Sequence, residues 1–404
     1  MIRKSLLTLC FGAVLSAQAK QCPRVEGAYA TWQYPLGGSL AIEELNSDAL
    51  THIILAFAFP TEGGGLDTRL VDTHINDALQ FGRSNNIGII LSIGGAGVNF
   101  LNLTKADLNA LAKNIADYAI QHRLDGIDID WEHFSTNEQP NPIESGNHLY
   151  LLKRLHELLP QEIDLGTDVE AGFWNGPNYH QDLDIYADYI RFMAYNFTGQ
   201  WPASFIDHHS AWLYTQMGLE SDIPGINSMM QKYPKEKTLL GLPFYHKGFV
   251  DGQSEQVSIV TTDHIVEKLV KGRGVDFNSG HAIADNTHWY WETPELIKKK
   301  SQFIKDNHYP GVFIWELHQD SKDPDYQLLN AIAEVLPKCD ACSAQWQSYP
   351  TIYNQGDTFS FNGQNYRVKS GPIYNITPDT SGHEHRFSKI GNCKTNSTFN
   401  KTVL

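Results

Sequence analysis

Three carboxylic acids stand at intervals of two in the stretch Leu124–Glu132, which reads L-D-G-I-D-I-D-W-E. They are Asp128, Asp130 and Glu132. In a β-strand, residues at i, i+2 and i+4 share one face, so the three side chains would point the same way. Closely stacked carboxyls cannot all ionise at low cost, so at least one should keep its proton near neutral pH. A carboxyl that is protonated at neutral pH is what general-acid catalysis requires.

The same acids have a second interpretation, because acidic residues at short intervals also bind calcium. A calcium loop needs flexible, oxygen-rich turns. Ile127 and Ile129 instead alternate with the acids, as in a strand that has one apolar face. The alternation favours a catalytic strand over a calcium loop.

The elements that would position these acids alternate between short apolar runs and longer segments of helical period. Eight runs are strand candidates: Val25–Thr31, Thr51–Phe59, Gly88–Ile93, Leu124–Trp131, Asp164–Glu170, Tyr189–Met193, Thr238–Pro243 and Gly311–Trp315. Helical periodicity marks Lys105–Gln121 and Asn147–Leu159 between them. Eight strands that alternate with helices indicate an α/β fold, a parallel (β/α)8 or TIM barrel.

A barrel of this kind carries its functional groups at the carboxyl ends of its strands. Polar and aromatic residues gather at or just past seven of the predicted ends: Tyr29, Phe57, Ser92 with Gly94 and Gly95, Glu132, Tyr195 with Asn196, Tyr245, and Trp315 with Glu316. Stability alone explains this clustering poorly. The pattern predicts a binding cleft at that end of the barrel.

Charge and the N-terminal segment limit the partners and the compartment. The net charge is −15 without a long basic run, which argues against nucleic acid and anionic membranes and suits a neutral or cationic ligand. Residues 1–19 have the charged start, apolar centre and A-x-A end of a secretory signal peptide. No later run reaches about 18 apolar residues, so we expect no membrane span. We expect a secreted, extracellular monomer.

Five stretches resemble the motifs of family 18 glycoside hydrolases, the chitinases and their relatives. The acidic strand matches the D-G-x-D-x-D-x-E signature of that family at Asp125–Glu132. The other four are S-I-G-G at 92–95, M-A-Y-N at 193–196, G-L-P-F-Y at 241–245 and G-V-F-I-W-E-L at 311–317. The resemblance runs from about Val25 to Leu336 and implies a catalytic barrel over residues 20–336.

This resemblance implies retaining hydrolysis of β-1,4-linked N-acetylglucosamine polymers, with the acetamido oxygen of the substrate as the nucleophile. Glu132 would be the general acid and then the general base. Asp130 would hold the acetamido N–H, and Asp128 would share a proton with Asp130. Tyr195 would donate its hydroxyl to the acetamido oxygen. The expected protein is an endo-acting chitinase that binds chitin or chitooligosaccharides and uses no metal or cofactor.

Further residues are candidates for contact with the substrate. Those of the motifs and strand ends are Asp125, Trp131, Tyr29, Phe57, Met193, Asn196, Tyr245 and Trp315. Trp315 would form the apolar floor under the distorted sugar. Candidates for outer sugar sites are Trp174, Trp201, Trp289 and Trp291. Asn196 departs from the family, which usually has Asp there, so the charge that bears on the pH dependence at this position is missing.

A small β-rich module is expected after a linker at residues 337–342. Its A-x-W…Y-x-x-G-D…Y-x-x-K pattern, within residues 343–393, resembles type 3 chitin-binding modules. Alternation in Thr358–Phe361 and Asn365–Lys369 around Asn362-Gly363 predicts a β-hairpin. The aromatic pair that usually follows the Lys is replaced by Ser370–Pro372, which predicts a weakened binding face. Residues 394–404 are expected to be disordered.

Four cysteines remain beyond the signal peptide, which contains Cys10: they are Cys22, Cys339, Cys342 and Cys393. An even number in an oxidising compartment predicts two disulfides. Three pairings are possible. Cys342 and Cys393 bracket the module, so we pair them and leave Cys22 with Cys339. The C-x-x-C spacing at 339–342 also resembles a redox or zinc motif, which the secreted context disfavours.

The segment 247–288 between the seventh and eighth strands is short, which predicts a shallow, open cleft and cleavage within chains. Two other functions stay open. An endo-β-N-acetylglucosaminidase that acts on N-glycans shares the acid signature but more often departs at the sixth and eighth strand motifs. A non-hydrolytic chitin-binding lectin typically lacks the Glu that stands here at position 132.

Overall fold

A computed structural model gives the fold over ten stretches: 23–32, 40–98, 100, 102–132, 142–170, 176–196, 232–250, 258–338, 343–362 and 364–392. The strands in chain order are β1 (Arg24–Ala30), β2 (His52–Thr61), β3 (Gly65–Asp67), β4 (Gly88–Gly94), β5 (Gly126–Asp130), β6 (Asp164–Glu170), β7 (Tyr189–Met193), β8 (Thr238–Pro243), β9 (His246–Val250), β10 (Ser258–Val260), β11 (His281–Ala284), β12 (Thr287–Tyr290), β13 (Gly311–Trp315), β14 (Thr358–Phe361), β15 (Gln364–Val368) and β16 (Phe387–Asn392). The α-helices are α1 (Arg69–Asp72), α2 (Ile75–Asn85), α3 (Lys105–His122), α4 (Pro142–Leu158), α5 (Leu183–Tyr186), α6 (Thr262–Ile265), α7 (Pro294–Asp306) and α8 (Leu328–Val335).

Eight parallel strands close into a barrel. In spatial order they are β1, β2, β4, β5, β6, β7, β8 and β13, and β13 pairs again with β1. Each begins and ends within two residues of its predicted bounds. The predicted (β/α)8 class is confirmed. The carboxyl ends of all eight strands therefore meet at one rim.

Helix α3 illustrates how local sequence builds the outer layer. The Thr104 side chain accepts the Asp107 N–H, and the Asp107 carboxylate accepts the Thr104 N–H at 2.9 Å, which caps the first turn reciprocally. Leu108, Leu111 and Ile115 recur every three or four residues and are fully buried. This apolar stripe packs α3 onto the barrel. The helix connects β4, which precedes it in the chain, to β5, which follows it.

The segment between β8 and β13 folds as a small α+β unit. Strands β9, β10, β11 and β12 form an antiparallel sheet, and α6 continues as a π-helix through Val266–Lys271. Trp289 and Trp291 are buried in the core of this unit, so they cannot be the outer sugar sites that we expected. Trp174 and Trp201 lie outside the described residues. The segment is short but nevertheless forms a folded α+β unit. Its short length is therefore no argument for the predicted shallow cleft.

The C-terminal residues form a separate antiparallel sheet of β14, β15 and β16. The predicted hairpin is confirmed, since Thr358–Phe361 pairs with Gln364–Val368. A small core of its own holds this sheet together: Tyr353, Phe359, Val368, Ile373 and Phe387.

This C-terminal sheet lies against the amino ends of the barrel strands. The Lys369 Nζ is 2.8 Å from an Asp188 carboxylate oxygen and 3.7 Å from one of Asp164. Asp164 begins β6 and Asp188 directly precedes β7. The sheet therefore contacts the end of the barrel that is opposite to the predicted cleft.

Several predictions fall on residues that the structure does not describe. They are the signal peptide at 1–19, the four cysteines outside it and the tail at 394–404. Within the described stretches, no helix combines the length and the apolar character that crossing a membrane requires.

Candidate active site

The three acids of β5 converge on a cavity of about 630 Å³ at the carboxyl ends of the barrel strands. Asp128 and Asp130 lie on the strand, and Glu132 follows two residues after Asp130. Since the three are spaced by two, they share the inward face. The other seven barrel strands or their ends complete the lining together with Lys247 of β9; among these residues are Phe57, Asp168, Glu170, Met193, Tyr195, Asn196, Tyr245 and Trp315.

Trp131 anchors the strand end from the opposite face. Its ring stacks on Phe100 at 4.3 Å, and its Nε1 donates to a Glu144 carboxylate oxygen at 3.0 Å. The Tyr179 hydroxyl donates to the Trp131 carbonyl at 3.1 Å. Trp131 is fully buried, so the prediction that it contacts substrate is wrong. It holds the backbone from which Glu132 projects.

The S-I-G-G motif packs against the same strand. A Cβ on Gly94, whose φ is 123°, would lie 2.0 Å from the Asp130 carbonyl oxygen. The Gly95 N–H donates to that oxygen at 2.9 Å, and the Ser92 hydroxyl donates to an Asp128 carboxylate oxygen at 2.6 Å. Only glycine permits so close an approach in this conformation. The motif therefore contacts the Asp128 side chain and the Asp130 backbone and helps to position both.

Burial and like charge set the protonation of the acids. Burial, and then the carboxylate of Glu170, raise the pKa of Glu132 to about 7. Burial raises the pKa of Asp130 well above its usual range, and the neighbouring carboxyls, first Glu132 and then Asp168, raise it further. Asp130 Oδ1 is buried and makes no hydrogen bond to any residue that the structure describes. Asp130 is one of the residues that line the cavity.

Two tyrosines and Asn196 face the acids from β7 and β8. The Tyr245 hydroxyl donates to Asn196 Oδ1 at 2.6 Å, and the Tyr195 and Tyr245 rings meet edge to face at 6.0 Å. Asn196 has a φ of 68°, a left-handed conformation that Asn tolerates better than most residues. All three side chains line the cavity.

Aromatic rings form the apolar wall of the cavity. Phe57 stacks on Trp315 at 5.5 Å and on Trp32 at 5.9 Å, with interplanar angles of 21° and 16°. Trp315 is partly exposed to the cavity, and Met193 lines it too. Flat apolar faces next to polar groups suit the mixed surface of a sugar ring.

Two other predicted contacts with substrate are wrong. Tyr29 is buried among other side chains, with its hydroxyl donating to the Leu40 carbonyl at 3.2 Å. It points away from the cavity because its neighbour Ala28 occupies the inward position. Asp125 precedes β5 at the amino end, where its carboxylate accepts the Ile89 N–H at 2.8 Å. It lies on the far side of the barrel from the cavity.

The structure adds acids that the sequence analysis did not single out. Asp168 and Glu170 lie on β6, next to β5, and line the cavity. Burial, and then the charge of Asp128, raise the pKa of Asp168 well above its usual range. The sequence signal that could have identified them is the D-V-E at the end of β6, in which two acids have the same spacing of two as the acids of β5. Lys247 of β9 and Arg191 of β7 were also missed.

A (β/α)8 barrel with a carboxyl of raised pKa at the strand ends, among further acids and an aromatic wall, is an arrangement typical of glycosidase-type hydrolases. Comparison with known proteins is more specific. The chain belongs to the glycosyl hydrolases family 18, whose sequence profile it matches over residues 27–320.

Similar proteins include the putative chitinase 1 of Margaritifera margaritifera, 22% identical over 340 residues, which cover 72% of this chain and 71% of that protein. Endochitinase 1 of Metarhizium robertsii is 27% identical over 60% of this chain and 64% of its own length. The endochitinase of Manduca sexta is 24% identical over 61% of this chain, which spans only 50% of that relative.

Solved structures agree on the fold. The Group IV chitinase of Ostrinia furnacalis in complex with allosamidin superposes with a TM-score of 0.66 at 18% identity, covering 78% of this chain and 98% of that one. Catalytic domain 2 of the Group II chitinase of the same organism also gives 0.66, at 21% identity, and covers 79% and 99%.

The pKa of Glu132 predicts the alkaline limb of activity. If Glu132 must be protonated to act, hydrolysis should decline as pH rises through about 7. Glu170→Gln removes the neighbouring negative charge, so the pKa of Glu132 should fall and this limb should move to lower pH, by about one unit. The measurement is kcat/KM against pH.

Glu236→Gln is the matched control, because it removes one carboxylate from an exposed turn before β8. It should leave the limb in place. An alkaline limb that stays put in Glu170→Gln, or moves equally in both variants, would show that Glu170 does not act on Glu132.

Proposed function

We propose that this chain is a secreted, endo-acting chitinase that hydrolyses β-1,4-linked N-acetylglucosamine polymers with retention of configuration. The observation that carries the proposal is Glu132, a carboxyl with a pKa of about 7 at the end of the acid strand of a family 18 barrel. The printed names of the relatives, chitinase and endochitinase, support the substrate and the endo action. The signal-like residues 1–19 support secretion, and the mature chain would begin near Lys20.

Glu132 supplies the proton transfers. In the first step its carboxyl protonates the glycosidic oxygen while the bond from that oxygen to the anomeric carbon breaks. In the second step the resulting carboxylate takes a proton from the attacking water. A pKa near the working pH suits a group that must act in both directions. Burial beside Glu170 provides that pKa.

Asp130 and Tyr195 would hold the acetamido group of the cleaved sugar. The acetamido oxygen attacks the anomeric carbon as the glycosidic bond breaks, and forms a cyclic oxazolinium cation. Water then opens the ring and restores the acetamido group. The buried Asp130 oxygen, which has no partner in the described part of the chain, would accept the acetamido N–H. The Tyr195 hydroxyl would donate to the acetamido oxygen.

The two acids of β6 provide the alternative to this substrate-assisted route. Asp168 and Glu170 lie outside the Asp125–Glu132 motif and also line the cavity. Asp168 is disfavoured as a nucleophile, because burial raises its pKa and so opposes formation of the carboxylate that would attack. Glu170 remains a possible protein nucleophile of the kind that most retaining glycosidases use. Family 18 is an exception to that scheme, which favours the acetamido oxygen.

Glu132→Gln tests the proton donor. The amide keeps the shape of the side chain but has no proton to give, so turnover of chitohexaose should fall by a factor of 10² to 10⁴, roughly, or more. Binding of chitohexaose, followed by calorimetry, should persist. Glu236→Gln should hydrolyse at the wild-type rate. A Glu132→Gln variant with a near-normal rate would exclude Glu132 as the acid.

Substrates without the acetamido group test the nucleophile. Chitohexaose should be cleaved, whereas cellohexaose and fully deacetylated chitosan oligomers should not, because they lack the attacking oxygen. A thiazoline mimic of the cyclic intermediate should inhibit strongly, since it resembles the state that the site stabilises. Product sizes over time, by mass spectrometry, should show internal cuts.

Other outcomes would change the assignment. Comparable cleavage of cellohexaose and chitohexaose would mean that a protein carboxylate, with Glu170 first in line, forms the intermediate. Cleavage of an N-glycan core but not of chitohexaose would favour an endo-β-N-acetylglucosaminidase. Binding of chitohexaose without any cleavage would favour the lectin.

We also propose that the C-terminal sheet binds chitin, as its resemblance to type 3 chitin-binding modules implies. Two tyrosines support the proposal. Tyr349 is 67% exposed and Tyr374 is 56% exposed. The Tyr349 N–H donates to Asn375 Oδ1 at 2.7 Å, which joins the two loops that carry these rings. Exposed flat rings on adjacent loops can stack on sugars.

The double substitution Tyr349→Ala with Tyr374→Ala should weaken adsorption to insoluble chitin by about ten-fold or more. Adsorption is measured by sedimentation in the Glu132→Gln background, so that the polymer is not degraded. Ile283→Ala, which removes an exposed apolar side chain on β11, should adsorb normally. Equal adsorption of both variants would exclude this face.

A further inference from the structure

A buried cation, the Arg191 guanidinium, contacts Asp128 of β5 from inside the barrel. Arg191 of β7 places its Nη1 2.7 Å from an Asp128 carboxylate oxygen, and its Nε 2.6 Å from one of Glu26 on β1. All three side chains are at most 1% exposed. An ion pair this deep is stable only when each charge is fully compensated by good geometry.

The barrel makes room for this contact at Gly166. In the strand register Asp128 on β5 lies beside Gly166 on β6, and β6 in turn lies beside β7. A Cβ on Gly166 would be only 1.9 Å from Arg191 Nη1. The guanidinium therefore crosses β6 over a residue without a side chain in order to reach Asp128. Gly166 pairs with Tyr189 and Arg191 pairs with Asp168 in the β6–β7 register, so the missing side chain at Gly166 leaves the space through which the guanidinium reaches Asp128.

The two aspartates of the acid strand are consequently in unequal surroundings. Asp128 receives the Arg191 guanidinium on one oxygen and the Ser92 hydroxyl, at 2.6 Å, on the other. Asp130 Oδ1 receives no hydrogen bond from the described residues. Both are buried, and within the described stretches donors suited to a carboxylate reach both oxygens of Asp128 but not Asp130 Oδ1.

The charged and titratable groups that face Asp128 come from all the strands around it. They are Glu26 of β1, Asp130 and Glu132 of the acid strand and its end, Asp168 of β6 and Arg191 of β7. Burial raises the pKa of Asp128, the Arg191 guanidinium and the Ser92 hydroxyl lower it, and Glu26 raises it. Arg191 is the cation among these groups.

We propose that Arg191 is a positioning residue that holds Asp128 as the ionised member of the Asp128–Asp130 pair and leaves the proton of the pair on Asp130. Its catalytic consequence rests on the proposed function, whereas the order of ionisation does not. The negative charge would then sit behind Asp130, close to the oxazolinium cation as it forms. The oxygen of Asp130 that faces the cavity stays available to the acetamido group.

The same ion pairs continue to the base of the barrel. Glu26 also contacts the Arg24 guanidinium, and Arg24 Nη1 is 2.9 Å from one Asp164 carboxylate oxygen. Lys369 approaches the other Asp164 oxygen from the C-terminal sheet. Charges alternate in sign from Asp128 to Lys369. An ionised Asp128 is thus the last member of a series of alternating charges. If Asp128 were neutral, Arg191 would keep Glu26 but lose its second anionic partner.

A substitution at Arg191 and one at Glu26 test the inference, because they should shift the pKa of Asp128 in opposite directions. Arg191→Met removes the cation, so the pKa of Asp128 should rise by about one unit or more. Glu26→Gln removes the competing anion, so Arg191 acts on Asp128 alone and the pKa of Asp128 should fall. Arg191→Lys retains the charge without the forked geometry and should lie between wild type and Arg191→Met.

The readout is the pH titration of the Asp128 carboxyl in the free protein, by 13C NMR of protein labelled at aspartate, with Asp128→Asn to assign the signal. In activity, the acid limb of kcat/KM requires the pair to carry its negative charge. This limb should move to higher pH in Arg191→Met and to lower pH in Glu26→Gln. Melting temperature is recorded for each variant, since both lose part of the buried network.

Shifts of the Asp128 titration in the same direction in both variants would overturn the inference and leave Arg191 a merely structural residue. So would lowered melting temperatures with an unmoved titration. If Arg191→Met does not fold, Arg191→Lys and Glu26→Gln still must shift in opposite directions. If the wild type does not hydrolyse chitooligosaccharides, the proposed function fails while the titration still decides the role of Arg191.

Discussion

The burial of several carboxyls inside a closed barrel is the constraint on which the rest of this structure depends. An ionised carboxylate deep in a protein loses several kcal/mol of hydration unless donors replace the water. The chain meets this constraint in two ways. Asp128 receives a guanidinium and a hydroxyl, from Arg191 and Ser92. Burial and neighbouring carboxyls raise the pKa of Asp130 and of Asp168 well above the usual range, which favours their neutral forms.

These requirements explain residues that have no chemistry of their own. Gly94 lets the third barrel strand approach the Asp130 carbonyl, and Gly166 lets Arg191 reach Asp128. Trp131 is held by Phe100 and Glu144, which keeps the backbone before Glu132 from moving. A larger side chain at Gly94 would push on the Asp130 backbone, and one at Gly166 would displace the Arg191 guanidinium. The positions of the acids are therefore fixed by two glycines and by one buried tryptophan ring.

Features of short range were predictable from the sequence. The strands followed from continuous apolar runs, and the inward acids from their spacing of two. The same spacing shows why Trp131 does not contact substrate. It lies between two acids in the sequence, so its side chain points to the opposite, outward face. The partners of the acids were not predictable in this way. Arg191 meets Asp128 across 63 positions of chain, and only the strand register and the gap at Gly166 bring them together.

The absence of a charge at Asn196 shows how the site distributes its electrostatics. The family usually places an Asp there, whereas here the amide oxygen accepts the Tyr245 hydroxyl. Glu170, on the neighbouring β6, instead provides the negative charge that raises the pKa of Glu132. The pKa of a catalytic acid depends on the total field at its carboxyl rather than on one position. A carboxylate can therefore be lost from one strand end and supplied by another while the acid keeps a pKa suited to its reaction.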